Sequence, residues 1–78
     1  MKGDEKMYFL IIVRKGGNMK EIRMTMLRNA DVKRIIAAEL MNNGIDELTA
    51  VDAAEWAEFA KPCEVYRADG LDIFSSEA

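Results

Sequence analysis

The chain has no histidine among its 78 residues, and this absence removes several common catalytic and metal-binding arrangements. Histidine is the usual general base near neutral pH, the usual partner of a nucleophilic serine or cysteine, and a frequent zinc ligand. The carboxylate pairs are close neighbours along the chain, whereas paired-carboxylate catalysis needs two groups that face each other across a pocket. We therefore expect no catalytic residues, no metal-binding residues, no cofactor and no enzymatic activity.

Only one cysteine is present, Cys63, so neither an intramolecular disulfide nor a cysteine-rich metal site can form. A lone cysteine without a neighbouring base is expected to be a small buried apolar residue in a reducing compartment. Long apolar runs are lacking as well. The longest, residues 7–13, is far too short to cross a bilayer, and Arg14 follows it where a signal peptide would have a small-residue cleavage site. We expect a cytoplasmic protein with no membrane partner.

The apolar residues that the chain does contain are sufficient for one core. Half of the residues are hydrophobic and 32% are charged, which is typical of a folded soluble domain. Chains of this length rarely divide into separate domains. We therefore expect a single compact domain over residues 1–78, with residues 1–5 and 75–78 frayed.

The N-terminal residues predict a β-hairpin. Residues 7–13 are rich in aromatic and β-branched side chains, and residues 19–27 alternate between apolar and polar. Gly16-Gly17 between them is a two-residue turn signal. The register that brings the apolar side chains onto one face pairs Phe9 with Met24, Ile11 with Ile22 and Val13 with Lys20.

The first strand of this hairpin is apolar on both faces, although its partner is apolar on only one. Tyr8, Leu10 and Ile12 face the side on which the second strand has polar residues. Either a neighbouring strand and loop cover these three side chains, or they form an adhesive surface. A homodimer that pairs through this surface, or through an open strand edge, is therefore one alternative for the function.

Two helices are predicted in the middle of the chain. The first begins after Asn29, a residue type that caps helices, and ends at Gly44, which suits the left-handed position after a helix. Residues 45–51 are compatible with strand or helix, because Thr49 and Asp52 each begin a capping-box pattern. We interpret residues 45–51 as a short third strand and Asp52 as the cap of the second helix.

The C-terminal residues predict a second hairpin. Residues 64–67 and 71–74 flank Asp69-Gly70, a strong signal for a two-residue turn. That turn places Arg67 opposite Asp72, a favourable cross-strand pair. The predicted fold class is therefore α+β, with a small antiparallel-dominated sheet, two helices on one face and the order ββαβαββ.

Charge is divided unevenly along the chain. Residues 1–38 have a balance of +5 and residues 39–78 a balance of −8. Such asymmetry favours a charged partner, unless the two halves neutralise each other across the sheet. The acidic face predicted to bind a protein with a basic surface comprises Glu39, Asp46, Glu47, Asp52, Glu55, Glu58 and Glu64. The alternative site, a basic first hairpin that binds nucleic acid, comprises Arg14, Lys15, Lys20 and Arg23.

Direct nucleic-acid binding is the weaker of these two predictions. The net charge of the chain is −3, and no aromatic residue that could stack on a base lies among the basic residues of the hairpin. Trp56 and Phe59 are candidate interface anchors, but their position beside the alanines of one helical face favours a place in the core.

In its small size, acidity, lack of histidine and hairpin-helix organisation, the chain resembles small inhibitor proteins of phages and mobile elements, among them anti-CRISPR proteins. The resemblance implies a non-enzymatic protein-binding module. Such a module would present its acidic surface to a basic, nucleic-acid-handling protein in the cytoplasm of the host. A homo-oligomeric structural or adaptor protein of the bacterial cytoplasm is the alternative.

Overall fold

Six elements follow one another in the order ββααββ, in a computed structural model that describes residues 5–77. They are β1 (Lys6–Lys15), β2 (Asn18–Leu27), α1 (Val32–Asn42), α2 (Glu47–Glu58), β3 (Val65–Ala68) and β4 (Leu71–Glu77). The predicted α+β class is confirmed, whereas the predicted order ββαβαββ is wrong because the two helices follow each other without a strand between them. Within residues 5–77, no helix is long and apolar enough to cross a bilayer.

The four strands form one antiparallel sheet in the order β2-β1-β4-β3. The predicted register of the first hairpin is confirmed, since Ile11 lies opposite Ile22. That of the second is confirmed as well, since Arg67 lies opposite Asp72. Because successive side chains of a strand point to opposite faces, the odd-numbered residues of β1 point to one face and the even-numbered residues to the other. The inner face, with the odd-numbered residues of β1, is buried against the helices.

The core lies between this inner face and the two helices. The sheet contributes Met7, Phe9, Ile11, Val13, Leu71 and Ile73, and α1 contributes Val32, Ile36, Ala37 and Leu40. On α2 the buried side chains are all alanines, namely Ala50, Ala53, Ala54 and Ala57. Because alanine is small and has the highest helix propensity, this face allows α2 to approach its neighbours closely without straining the helix.

Ser75 is a buried polar residue whose hydroxyl has no hydrogen-bond partner within residues 5–77. It lies opposite Phe9 on the inner face. Since an unpaired buried hydroxyl costs about 1–3 kcal/mol, we expect Ser75→Ala to raise the free energy of unfolding by about 1 kcal/mol in urea denaturation. The exposed neighbour provides a matched control, and Ser76→Ala should change this free energy by less than about 0.5 kcal/mol. A less stable Ser75→Ala protein would contradict the prediction.

The predicted third strand over residues 45–51 is wrong, because Asp46 begins a helix there. Its carboxylate accepts a hydrogen bond from the backbone N–H of Thr49 at 3.0 Å, which is the geometry of a helix cap. That hydrogen bond also lowers the pKa of Asp46. Neither Thr49 nor Asp52 is therefore the cap, and both lie inside α2. With this start, the alanines of α2 all fall on the side of the core.

The ends of two other elements also differ from the predictions. The cap of α1 is Asp31, not Asn29, because the Asp31 carboxylate accepts from the backbone N–H of Arg34 at 3.4 Å. At the C-terminus, β4 continues through Glu77 instead of fraying from residue 75. The backbone N–H of Ser75 donates to the carbonyl of Glu64 at 3.0 Å, which holds this end to the chain before β3. Residues 1–4 and 78, also predicted to fray, lie outside the described residues.

The expectation that Cys63 is buried is wrong, because the residue is exposed. It lies in the loop between α2 and β3, directly after Pro62, and has a φ of 69°. Its backbone N–H donates to the carbonyl of Ser75 at 2.7 Å. The residue is thus positioned by its backbone, which pairs with β4, and its side chain is left in solvent.

Candidate binding surfaces

Charge separates onto two sides of the molecule. The helix layer, defined as residues 31–58, has seven acidic and two basic side chains, a net charge of −5. The outer face is the side of the sheet that points away from the helices. Its side chains are those of Lys6, Tyr8, Leu10, Ile12, Arg14, Met19, Glu21, Arg23, Thr25, Leu27, Val65, Arg67, Asp72, Phe74 and Ser76. Four of these are basic and two are acidic, so the outer face has a net charge of +2.

The fold divides the seven acidic residues that were predicted to form one face. Three of them form hydrogen bonds that stabilise the local structure around them. Asp46 caps α2, Glu39 accepts from the side-chain amide of Asn43 at 3.2 Å, and the carboxylate of Glu64 accepts from the backbone N–H of Lys61 at 3.0 Å. The other four, Glu47, Asp52, Glu55 and Glu58, lie together on α2.

The solvent-exposed side of α2 combines these carboxylates with two apolar side chains. We call it the acidic helix face, and it consists of Glu47, Leu48, Asp52, Glu55, Glu58 and Phe59. Leu48 is 84% exposed and Phe59 is 79% exposed, so the prediction that Phe59 lies in the core is wrong. Eleven positions separate them, which is about 16 Å along a helix axis. Asp52, Glu55 and Glu58 therefore lie between two apolar anchors.

Contacts with neighbouring elements fix part of this face. The hydroxyl of Tyr66 donates to Asp52 at 2.6 Å, and burial together with this hydrogen bond raises the pKa of Tyr66 to about 12. Lys33 Nζ lies 3.4 Å from a carboxylate oxygen of Glu55, an exposed pair that contributes little to stability. Trp56 is half-buried, packs against the core as predicted, and lies with its ring centroid 5.6 Å from that of Tyr66.

An apolar strip crosses the outer face. Tyr8, Leu10 and Ile12 lie on β1, Phe74 lies opposite Leu10 on β4, and Val65 lies opposite Phe74 on β3. Tyr8 is 42% exposed and Val65 is 41% exposed, while the other three are half-buried. Neighbouring strands flank these side chains without covering them. Of the two possibilities for the second apolar face of β1, an open surface is the one found within residues 5–77.

A groove of about 500 Å³ lies on this strip and is the site at which aromatic, basic and hydroxyl side chains meet. The outward side chains that line it are those of Tyr8, Leu10, Arg23, Thr25, Phe74 and Ser76. This volume is within the range of pockets that hold small organic groups. Arg23 is well exposed, and its Nη2 lies 3.3 Å from Oε1 of Glu21. Solvent strongly screens the attraction between these two exposed charges.

The basic residues predicted to form a site on the first hairpin do not share a face. Arg14 and Arg23 lie on the outer face, whereas Lys20 lies opposite Val13 on the other side of the sheet. Lys15 donates through its Nζ to the carbonyl of Gly44 at 3.0 Å and so holds the end of the hairpin to the turn after α1. The outer face contains one further basic residue, Arg67, which comes from the second hairpin.

Sequence reasoning missed two features of these surfaces. The position of Phe74 beside Leu10 follows from the pairing of β4 with β1, which joins the two ends of the chain and leaves no local signal. The exposure of Leu48 follows from the start of α2 at Glu47. Asp46-Glu47 ahead of Thr49 was the available signal for that start, since acidic residues are favoured at helix caps and in the first turn.

Comparisons with known proteins return no match to this chain, whether among protein-family models, curated proteins or solved structures.

Proposed function

We propose that the protein is a non-enzymatic binding module that docks its acidic helix face on a basic surface of another protein. The observation that carries the proposal is the exposure of Leu48 and Phe59 at the two ends of a helix face that otherwise bears carboxylates. Large apolar side chains that are buried in a complex supply much of its binding energy, and surrounding charges supply steering and specificity. The acidic helix face offers both.

The expected partner handles nucleic acid, because protein surfaces that bind phosphates present clusters of basic side chains. A helix that carries Glu47, Asp52, Glu55 and Glu58 could occupy such a surface in place of phosphates. The protein would then act as an inhibitor, as the resemblance to small inhibitors of phages and mobile elements implies. The contact area of one helix face is small, so the apolar anchors are essential to this proposal.

The test is capture of binding proteins from a cell lysate by the immobilised wild-type chain and by Glu55→Lys/Glu58→Lys. Because two charges reverse at the centre of the proposed interface, we expect recovery of the specific partner to fall at least about tenfold. A matched control, Glu5→Lys/Asp69→Lys, makes the same charge change in the sheet layer, outside both the acidic helix face and the outer face, and should leave recovery within about twofold. The variant Phe59→Ser should lower recovery without changing net charge.

Two results would remove the proposal. One is recovery that stays the same in Glu55→Lys/Glu58→Lys. The other is an equal loss in the sheet-layer control, which would indicate a response to net charge alone. Captured proteins would also have to bind less tightly at higher salt, because a charge-steered contact weakens as ions screen it.

A further inference from the structure

We propose that the outer face of the sheet is a second binding site, independent of the acidic helix face, and that it binds single-stranded nucleic acid. The site is centred on the groove of about 500 Å³ in which Tyr8, Phe74 and Arg23 meet. Proteins bind single strands through aromatic rings on which bases stack, combined with basic groups that follow the phosphates. The outer face brings both together, although they come from distant parts of the chain.

The two aromatic residues are neighbours on the outer face, at a spacing that suits the bases of one strand. Phe74 lies opposite Leu10, and Tyr8 is two residues before Leu10, so Tyr8 and Phe74 are diagonal neighbours on adjacent strands. Diagonal neighbours in a sheet are roughly 7 Å apart, about twice the 3.4 Å spacing of nucleotides in a stacked strand. Both side chains are partly exposed on the open face of the sheet. Two bases of one strand can therefore each contact a ring.

Polar groups with the right chemistry surround the rings. Thr25 and Ser76 line the same groove, and their hydroxyls can donate to or accept from base edges and sugars. Arg23 can bind a phosphate or stack on a base through its planar guanidinium group. A groove built for a purely apolar peptide would not need these three side chains.

The charge of the outer face fits a polyanion better than a second copy of the chain. Its net charge is +2, so two outer faces brought together would repel each other. Arg14 is paired with Asp72 at 3.1 Å, but the side chains of Lys6 and Arg67 form no ion pair within residues 5–77. These two basic groups lie at different ends of the apolar strip. A strand that crosses the rings would thus find a cation near each end.

The carboxylates of the helix layer, whose net charge is −5, lie on the opposite side of the sheet and do not line the groove. Distance and salt weaken their repulsion of phosphates, so the net charge of −3 of the whole chain is compatible with binding on the outer face. The phosphates would approach the one side of the molecule on which basic residues outnumber acidic ones.

The test is fluorescence anisotropy with labelled oligo(U) and oligo(dT) of about ten nucleotides, at about 50 and about 200 mM salt. We expect the wild-type protein to bind at least one oligonucleotide at the lower salt and to lose affinity at the higher. Tyr8→Leu/Phe74→Leu keeps apolar bulk on the face but removes both stacking rings, so its affinity should fall about tenfold or more. Arg23→Gln should lower affinity several-fold and reduce the salt dependence.

Each of these variants has a matched control in the helix layer or beside it. Phe59→Leu removes an exposed phenylalanine from the acidic helix face, and Arg34→Gln removes an exposed arginine from α1. Both should bind oligonucleotide within about twofold of the wild type. Urea denaturation of every variant would separate a loss of binding from a loss of folding.

The results distinguish the possible occupants. Tighter binding of oligo(U) than of oligo(dT) would assign the site to RNA, and equal binding would assign it to single strands of either kind; both support the proposal. No binding of either oligonucleotide at the lower salt, or an equal loss of affinity in the controls, would overturn it. A homodimer that Tyr8→Leu/Phe74→Leu dissociates, in a protein that binds no oligonucleotide, would assign the face to a second copy. None of these outcomes depends on the acidic helix face.

Discussion

Ile11→Ala is expected to lower the free energy of unfolding by about 4 kcal/mol, because it leaves a cavity at the centre of the core. Ile11 is 0% exposed and lies opposite Ile22 on one side and Ile73 on the other. A domain of this length has a total stability of only about 4–12 kcal/mol, so the substitution should remove between about a third and all of it. Urea denaturation followed by the fluorescence of Trp56, the only tryptophan, would measure the effect.

The adjacent residue offers a control of identical chemistry. Ile12 lies on the same strand but points to the outer face, where it is half-buried. Because its side chain already contacts solvent, Ile12→Ala should cost about 1 kcal/mol or less. Equal losses for Ile11→Ala and Ile12→Ala would contradict the assignment of the two faces of the sheet.

Local signals in the sequence were sufficient to predict the two hairpins. Gly16-Gly17 and Asp69-Gly70 each allow a two-residue turn, and a two-residue turn sets the pairing of every residue in the strands that it joins. The pairing of Ile11 with Ile22 and of Arg67 with Asp72 could therefore be read from the sequence and is confirmed.

The middle of the chain was harder to predict, because several residues there can cap a helix. Asp46, Thr49 and Asp52 all have side chains of the kind that can accept from a backbone N–H three positions later. A helix that starts at Asp46 contains Ala50 and buries it in the core together with the other alanines of α2, which is a tertiary effect. The same limit applies to Cys63, whose exposure depends on the pairing of its backbone with Ser75.

The candidate surfaces could be predicted only in part. The uneven charge of the two halves of the chain indicated charged surfaces, and the two-sided apolar pattern of β1 indicated an open sheet face. The sequence did not show which residues from distant segments become neighbours on a surface, because β4 pairs with β1 across more than fifty residues. That pairing places Phe74 on the groove that Arg23 also lines, so an aromatic residue that could stack on a base does lie near a basic residue of the first hairpin.

The two proposals together describe a molecule with opposite charges on opposite sides. A protein docked on the acidic helix face and a single strand on the outer face would not compete for the same residues. The chain could then hold both at once, on a basic nucleic-acid-handling protein that is itself bound near such strands. Each site has variants that leave the other intact, so Phe59→Ser and Tyr8→Leu/Phe74→Leu would measure the two contributions separately.

Gly70→Ala is expected to have the second large effect on stability, because the turn between β3 and β4 touches β1. Gly70 has a φ of +78°, and a Cβ placed on it would lie 2.9 Å from the carbonyl oxygen of Arg14. The backbone N–H of Arg14 also donates to the carbonyl of Gly70 at 2.8 Å. An alanine would therefore combine left-handed strain with displacement of a turn bound to the central strand. We expect a loss of about 2–4 kcal/mol in the free energy of unfolding.

The other hairpin allows these two causes to be separated. Gly16 also has a left-handed φ, +61°, but a Cβ there would meet nothing within 4 Å. Gly16→Ala should therefore cost only the conformational strain, about 1 kcal/mol. Gly17 is outside the left-handed region and equally open, so Gly17→Ala should be close to neutral. Urea denaturation should rank the losses as Gly70, Gly16, Gly17. If Gly70→Ala cost no more than Gly16→Ala, the contact between the turn and Arg14 would not contribute to stability.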